Sequence, residues 1–162
     1  MTTVFVVLHV AAAILLLGPV IVATSMFPRQ AAEARSGSQE AVGRATVLQR
    51  ITSTYGMLSA LVPLLGAVVL IFGWDHFKTN YFLHTAIILA LIAWGILFFM
   101  VIPQQRKMMG SLNALDPAEA DQADYTSNFE SAKAKTTAGA GIFNLLTMII
   151  LILMYLPSDI FA

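Results

Sequence analysis

Polar charge is confined to short stretches of this chain, and the intervals between them are apolar. No Asp, Glu, Lys or Arg occurs in Met1–Pro28, Ile51–Trp74, Thr79–Gln105 or Thr136–Ser158. A hydrocarbon core about 30 Å thick needs roughly 20 helical residues at about 1.5 Å each, and each interval supplies them with its backbone hydrogen bonds satisfied internally. The pattern predicts four membrane-spanning helices near 3–26, 52–73, 80–102 and 137–157, in one domain covering 1–162. The first has no basic residue before its apolar run, and the run is too long for the apolar region of a secretory signal, so it is expected to be a retained helix.

The segments between the spans also carry helix signals. After Ser36-Gly37-Ser38, the stretch Gln39–Arg50 is rich in helix formers and runs into the second span without a proline, predicting one helix of roughly 35 residues. Asp116-Pro117-Ala118-Glu119 reads as a helix start, with Asp as cap, Pro in the first turn and Glu completing a capping box, and a continuous helix is expected from there to Tyr155. The expected fold is all-α: an antiparallel four-helix membrane bundle whose two long helical hairpins extend beyond the bilayer. Gly18-Pro19 and Pro63 are expected to bend their helices. The small residues Gly56, Ser59, Ala60, Pro63, Gly66 and Ala67, with Thr137 and Gly141, are expected to pack helix against helix.

Charge adds an orientation. Arg29, Arg35, Arg44 and Arg50 lie between the first two spans, and Arg106, Lys107, Lys133 and Lys135 between the last two, while Lys78 alone lies in the other loop. Basic residues near span ends resist translocation, so both long connections are expected in the cytoplasm and both termini outside, in a multi-pass protein of the cell membrane. Trp74, Phe77, Tyr81 and Tyr155 then fall at the outer boundary, where amphipathic rings favour the headgroup region.

Composition agrees. Of 162 residues 58% are hydrophobic and 11% charged, against roughly 45–50% and about 25% in an average soluble domain. Nine Lys and Arg balance nine Asp and Glu, so no basic excess recruits nucleic acid. There is no cysteine, hence no disulfide, thiolate ligand or cysteine nucleophile. The spans lack the charged groups that mark ion pathways and coupled transport, which weighs against a pump, transporter or channel. HExxH, GxSxG and glycine-rich phosphate loops are missing as well, so no catalytic residue is assigned and enzymatic activity is not expected.

Two histidines are the candidate chemistry. His9 lies about six residues into the first span and His84 about four into the third, which runs the same way, so both imidazoles fall within roughly 10 Å of the outer boundary. Facing each other across the bundle they could hold a haem b or a copper ion. The plainer account is that each bonds a neighbouring backbone carbonyl or hydroxyl, with Tyr81 and Thr85 nearby. His76, beside Asp75, reads as a solvated loop residue. Thr52, Ser53, Thr54, Tyr55 and Ser59 in the second span and Asn144 and Thr147 in the fourth are expected to bond across helices, with a lipid or quinone headgroup pocket as the functional alternative. Met100, Met108 and Met109 show no ligand spacing and read as packing residues.

The opening Leu8-His9-Val10, then Leu17-Gly18-Pro19-Val20 and Met26-Phe27-Pro28-Arg29, resembles a family of small actinobacterial four-span integral membrane proteins of unknown function. Some members look like accessory subunits of the respiratory supercomplex of cytochrome bcc and a haem-copper cytochrome c oxidase. The resemblance therefore implies a non-catalytic accessory subunit, with membrane lipid and those oxidoreductase subunits as partners. No functional residue carries over, except that the family pattern places a histidine at His9. The alternative from the residues themselves is a bis-histidine haem- or copper-binding membrane protein using His9 and His84.

Overall fold

In the computed structural model, which describes residues 2–115 and 121–156, four helices are long and apolar enough to cross a membrane: α1 (Thr3–Arg35), α2 (Gln39–Phe72), α3 (Tyr81–Ser111) and α4 (Phe129–Tyr155). No strand occurs among the described residues. The fold is an all-α antiparallel four-helix bundle. Both long connections lie at one end, the basic end, where Arg35 after α1 donates to Glu130 at the start of α4 at 3.0 Å.

Local chemistry sets the helix limits. Gly37 adopts φ +102°, the left-handed backbone that closes the turn after α1. Ser38 then caps α2, its Oγ accepting from the Ala41 N–H at 3.2 Å. Asn80 caps α3 and Asn128 caps α4 in the same way.

The expected continuous helix from 116 to Tyr155 does not form. Residues 116–119 lie outside the described part of the chain, and a separate short helix, Gln122–Tyr125, ends before α4 starts at Phe129. Asn128 and Asp121 each initiate a helix of their own, and the Ser127 hydroxyl donates to the carbonyls of Lys107 and Asp124, which secures the break.

Three prolines coincide with departures from regular α-helix, while Pro28 sits within the continuous helical part of α1. Pro63 offers no N–H to Ser59, whose carbonyl instead accepts from Val62 at 3.0 Å, and α2 is interrupted at Ser59–Ala60. A π-helical turn at Ala13–Leu17 precedes Pro19, and a second at Leu97–Val101 precedes Pro103. The second of these bends has no counterpart among the expectations from sequence.

Two layers of core hold the bundle. At the basic end Phe27, Ala31, Ala45, Met108, Met109 and Phe129 are buried together, and in the middle Val20, Ala93, Leu97, Val101 and Phe143 are. Met108 and Met109 thus pack, as their spacing implied. Gly56 meets Leu97 and Ile102, and Gly139 meets Val101 and Met100, so small residues do mediate close approach. In α4, however, Thr137 and Gly141 face outward. The inward face runs through Phe129, Ala132, Thr136, Gly139, Ala140 and Phe143, about 100° away on the helix.

Toward the other end the bundle divides into pairs. α1 packs on the second half of α2, where Phe5 and Phe72 stack with ring centres 5.2 Å apart, and α3 packs on α4. Trp74, Tyr81 and Tyr155 stand exposed at that end. The side chain of His76 lies outside the described residues.

Candidate functional site

The division into pairs leaves two adjoining apolar cavities. One, of about 360 Å³, is lined by Val6 and His9 of α1, Gly66 and Leu70 of α2, and Leu83 and Ile87 of α3. The other, of about 380 Å³, lies deeper, between Ser59, Trp94, Phe143 and Thr147. Pro63, Ala90 and Leu91 line both, so the two are neighbours along one cleft. Volumes of this size are in the range of small-molecule sites, roughly 300–1,000 Å³.

His9 is held by α2. Its Nδ1 lies 2.9 Å from the carbonyl oxygen of Val62. A carbonyl only accepts, so Nδ1 carries the proton, and in the neutral ring Nε2 keeps its lone pair. Gly66 makes this approach feasible, since a Cβ there would stand 3.0 Å from the His9 Cε1.

His84 is held by its own helix, with Nδ1 2.7 Å from the carbonyl of Asn80, which fixes the same tautomer. Its neighbours Leu83 and Ile87 line the cavity that His9 lines. The structure therefore puts one of the two candidate imidazoles on the cleft wall and the other beside that wall. Haem or copper would have these two rings as its protein ligands. The described residues hold no group of three or more His, Asp or Glu placed for a metal ion.

The polar residues of the spans divide unexpectedly. Thr52, Ser53 and Ser59 donate to carbonyls of their own helix, and Thr147 does likewise to Phe143 at 2.9 Å. Of the residues expected to bond across helices, Asn144 does so, donating to the Ser25 Oγ at 2.8 Å and accepting from Thr24, on α1 rather than α2. Ser59 and Thr147, drawn from α2 and α4, meet at the deeper cavity.

Trp94 was not singled out by the sequence. Its ring packs on Phe98 at 4.3 Å between centres, and its buried Nε1 has no hydrogen-bond partner. A tryptophan mid-span, far from the boundary that tryptophan normally favours, was the available signal. Gln105 and Thr136 were also missed. Both are fully buried at the basic end, and neither the Gln105 carboxamide nor the Thr136 hydroxyl has a partner.

Comparison with known proteins adds no assignment: no family model, curated protein or solved structure matches the chain.

Proposed function

We propose that the chain is a non-catalytic integral membrane subunit that works by association with a larger membrane complex. The resemblance of its first helix implies that the complex is respiratory, built on cytochrome bcc and cytochrome c oxidase. In this reading the basic end faces the cytoplasm and both termini lie outside.

The supporting observation is a shallow groove on the shoulder of the α1–α2 hairpin. Met26 and Val47, 50% and 57% exposed, line it with Gly43 and Leu48, and Gln30, Glu40 and Arg44 form its polar rim. Nothing stands within 4 Å of a Cβ placed on Gly43, so a partner helix can approach closely there. The groove lies near the level of Arg29, Arg44 and Arg50, where the bilayer gives way to water. Burying apolar surface regains a hydrophobic drive at that boundary which it lacks among lipid tails.

Purification in mild detergent through a C-terminal tag tests the reading. Cytochrome bcc and cytochrome c oxidase subunits should copurify in fixed proportion, and Val47→Asp should release them while the bundle stays inserted. Recovery of the tagged chain alone, with oxidase assembly unchanged on its deletion, overturns it.

The second reading, a bis-histidine haem b or copper protein, is favoured by one observation. Both histidines commit Nδ1 to a backbone carbonyl, the arrangement that orients Nε2 for a metal. It requires a Soret band or stoichiometric copper in the purified protein, lost in both His9→Ala and His84→Ala. A bare protein spectrum without copper ends it.

A further inference from the structure

The charges at the basic end pair unevenly. Every carboxylate described there is engaged by an arginine: Glu33 by Arg29 and Arg44, Glu40 by Arg44, Asp121 and Asp124 by Arg106, and Glu130 by Arg35. Arg50, Lys107, Lys133 and Lys135 have no carboxylate partner among the described residues. All four stand within three residues of a charge-free interval, so their uncompensated charge lies where the apolar spans end.

Two of these lysines border one groove. Gly139 of α4 lies against α3, where a Cβ on it would stand 3.0 Å from the Val101 Cγ2 and 3.3 Å from the Met100 Cγ. Residues three, four and seven apart share a helix face, so Lys135 lies one turn from Gly139, and Gln104 and Lys107 lie one and two turns from Met100. At roughly 1.5 Å per residue, Lys135 and Gln104 stand about 6 Å from the contact toward the basic end and Lys107 about 10 Å. Packed helix axes are about 8–10 Å apart, a gap across which two lysine side chains can meet at one phosphate. Lys107 is half-buried and Lys135 exposed, and the Gln104 carboxamide between them has no partner among the described residues.

Toward the membrane centre the same groove is apolar. Ile142, seven residues after Lys135 and 46% exposed, continues the α4 side, and Met100 continues the α3 side. The complement of this surface has an anionic head and an apolar tail, in that order along the helices. A soluble anion would meet the lysines and leave the apolar run uncovered, whereas an anionic phospholipid covers both.

We propose that the outer groove between α3 and α4 binds one anionic phospholipid, its phosphate held between Lys107 and Lys135 with Gln104 as a further donor. An acyl chain lies over Met100, Gly139 and Ile142. This goes beyond association with a complex, uses the other helical hairpin, and is testable on the isolated chain, so either reading can fail without the other.

The test is native mass spectrometry of the full chain in detergent, titrated with phosphatidylglycerol or phosphatidylcholine. One phosphatidylglycerol should be retained per chain, bound at least about tenfold more tightly than phosphatidylcholine. A lysine near the membrane surface contributes about fivefold to anionic-lipid affinity, so Lys107→Gln with Lys135→Gln should weaken binding about 25-fold. Arg50→Gln with Lys133→Gln removes the same charge away from the groove, since Arg50 is on α2 and Lys133 is about 160° around α4 from Lys135. That pair should change binding less than about twofold.

Circular dichroism melting confirms that each variant is folded, and Lys135→Gln alone, at an exposed position and with about a fivefold loss expected, carries the comparison if the double variant fails that check. Equal affinity for the two lipids overturns the proposal. Equal losses in the two double variants assign the attraction to diffuse charge and overturn it as well. Displacement of bound phosphatidylglycerol by inorganic phosphate at equal concentration assigns the lysines to a soluble anion, with the same consequence.

Discussion

The imidazole of His9 is bonded to the backbone of Val62, with Nδ1 and the carbonyl oxygen 2.9 Å apart, and this contact ties the first turns of α1 to α2 beside the cleft. The ring fits because residue 66 is glycine. His9→Leu removes the bond and should destabilise the bundle by about 0.6 kcal/mol and no more than about 1.7, the range of membrane hydrogen bonds. Gly66→Ala must displace the ring and should cost about 1–3 kcal/mol. Thermal unfolding in a fixed detergent measures both. An unchanged midpoint for Gly66→Ala would show that the ring does not rest on α2.

A tighter constraint lies at the basic end. A Cβ on Gly110 would stand 2.6 Å from the carbonyl carbon and oxygen of Asp124, and these are backbone atoms that cannot rotate away. Asp124 is itself fixed, 7% exposed, with its Oδ2 receiving the Arg106 Nε–H at 2.9 Å and the Asp121 N–H at 3.1 Å. Gly110→Ala should therefore detach the short helix Gln122–Tyr125 from α3. Limited proteolysis should cut the variant within 121–128 at protease levels that leave the native chain intact.

Much of the fold was legible because one periodicity governs it. The charge-free intervals mark the spans, Ser36-Gly37-Ser38 marks the hairpin turn, and Gln39 runs unbroken into the membrane as its composition implied. The start of α4 was not legible, because Asn128 competes with the stronger capping signal near Asp116, and the Ser127 contact that favours the later start comes from Lys107 on another helix. Val47 and Phe129 show the same limit. Both are apolar residues in polar segments, yet Phe129 is buried beneath the Arg35 guanidinium, 4.6 Å from its ring centre, while Val47 is exposed. That Leu83 and Ile87 are the α3 residues on the cleft was not legible, since it depends on helix rotation. The deeper cavity depends on where four helices leave space, which no local pattern encodes.

Sidedness is testable because the chain has no cysteine. With eight basic residues flanking the long connections and one in the short loop, Ser38→Cys should resist a membrane-impermeant thiol reagent in intact cells, and Thr79→Cys and Ser158→Cys should react. Reaction at Ser38→Cys in sealed cells would reverse the orientation.

Gln105 and Thr136 make a prediction of the less usual sign. The contact of Gly139 with Val101 sets the register of α4 on α3. Gln105 lies one turn toward the basic end from Val101, and Thr136 nearly one turn toward that end from Gly139, so the two stand at matching height on facing helices. Both are fully buried, and their side-chain polar atoms are unpartnered. Thr136 is unusual among its kind here, since Thr46, Thr52, Thr85, Thr137 and Thr147 all donate to the carbonyl one turn earlier. An enclosed polar group without a partner costs about 1–3 kcal/mol, and an apolar replacement of the same shape removes that cost. Gln105→Met with Thr136→Val should leave the bundle as stable or raise its unfolding midpoint, whereas Gln105→Ala should lower it by opening a void. Marked destabilisation by the volume-conserving pair would show instead that these side chains are hydrogen-bonded in the membrane and that their polarity helps to hold α3 against α4.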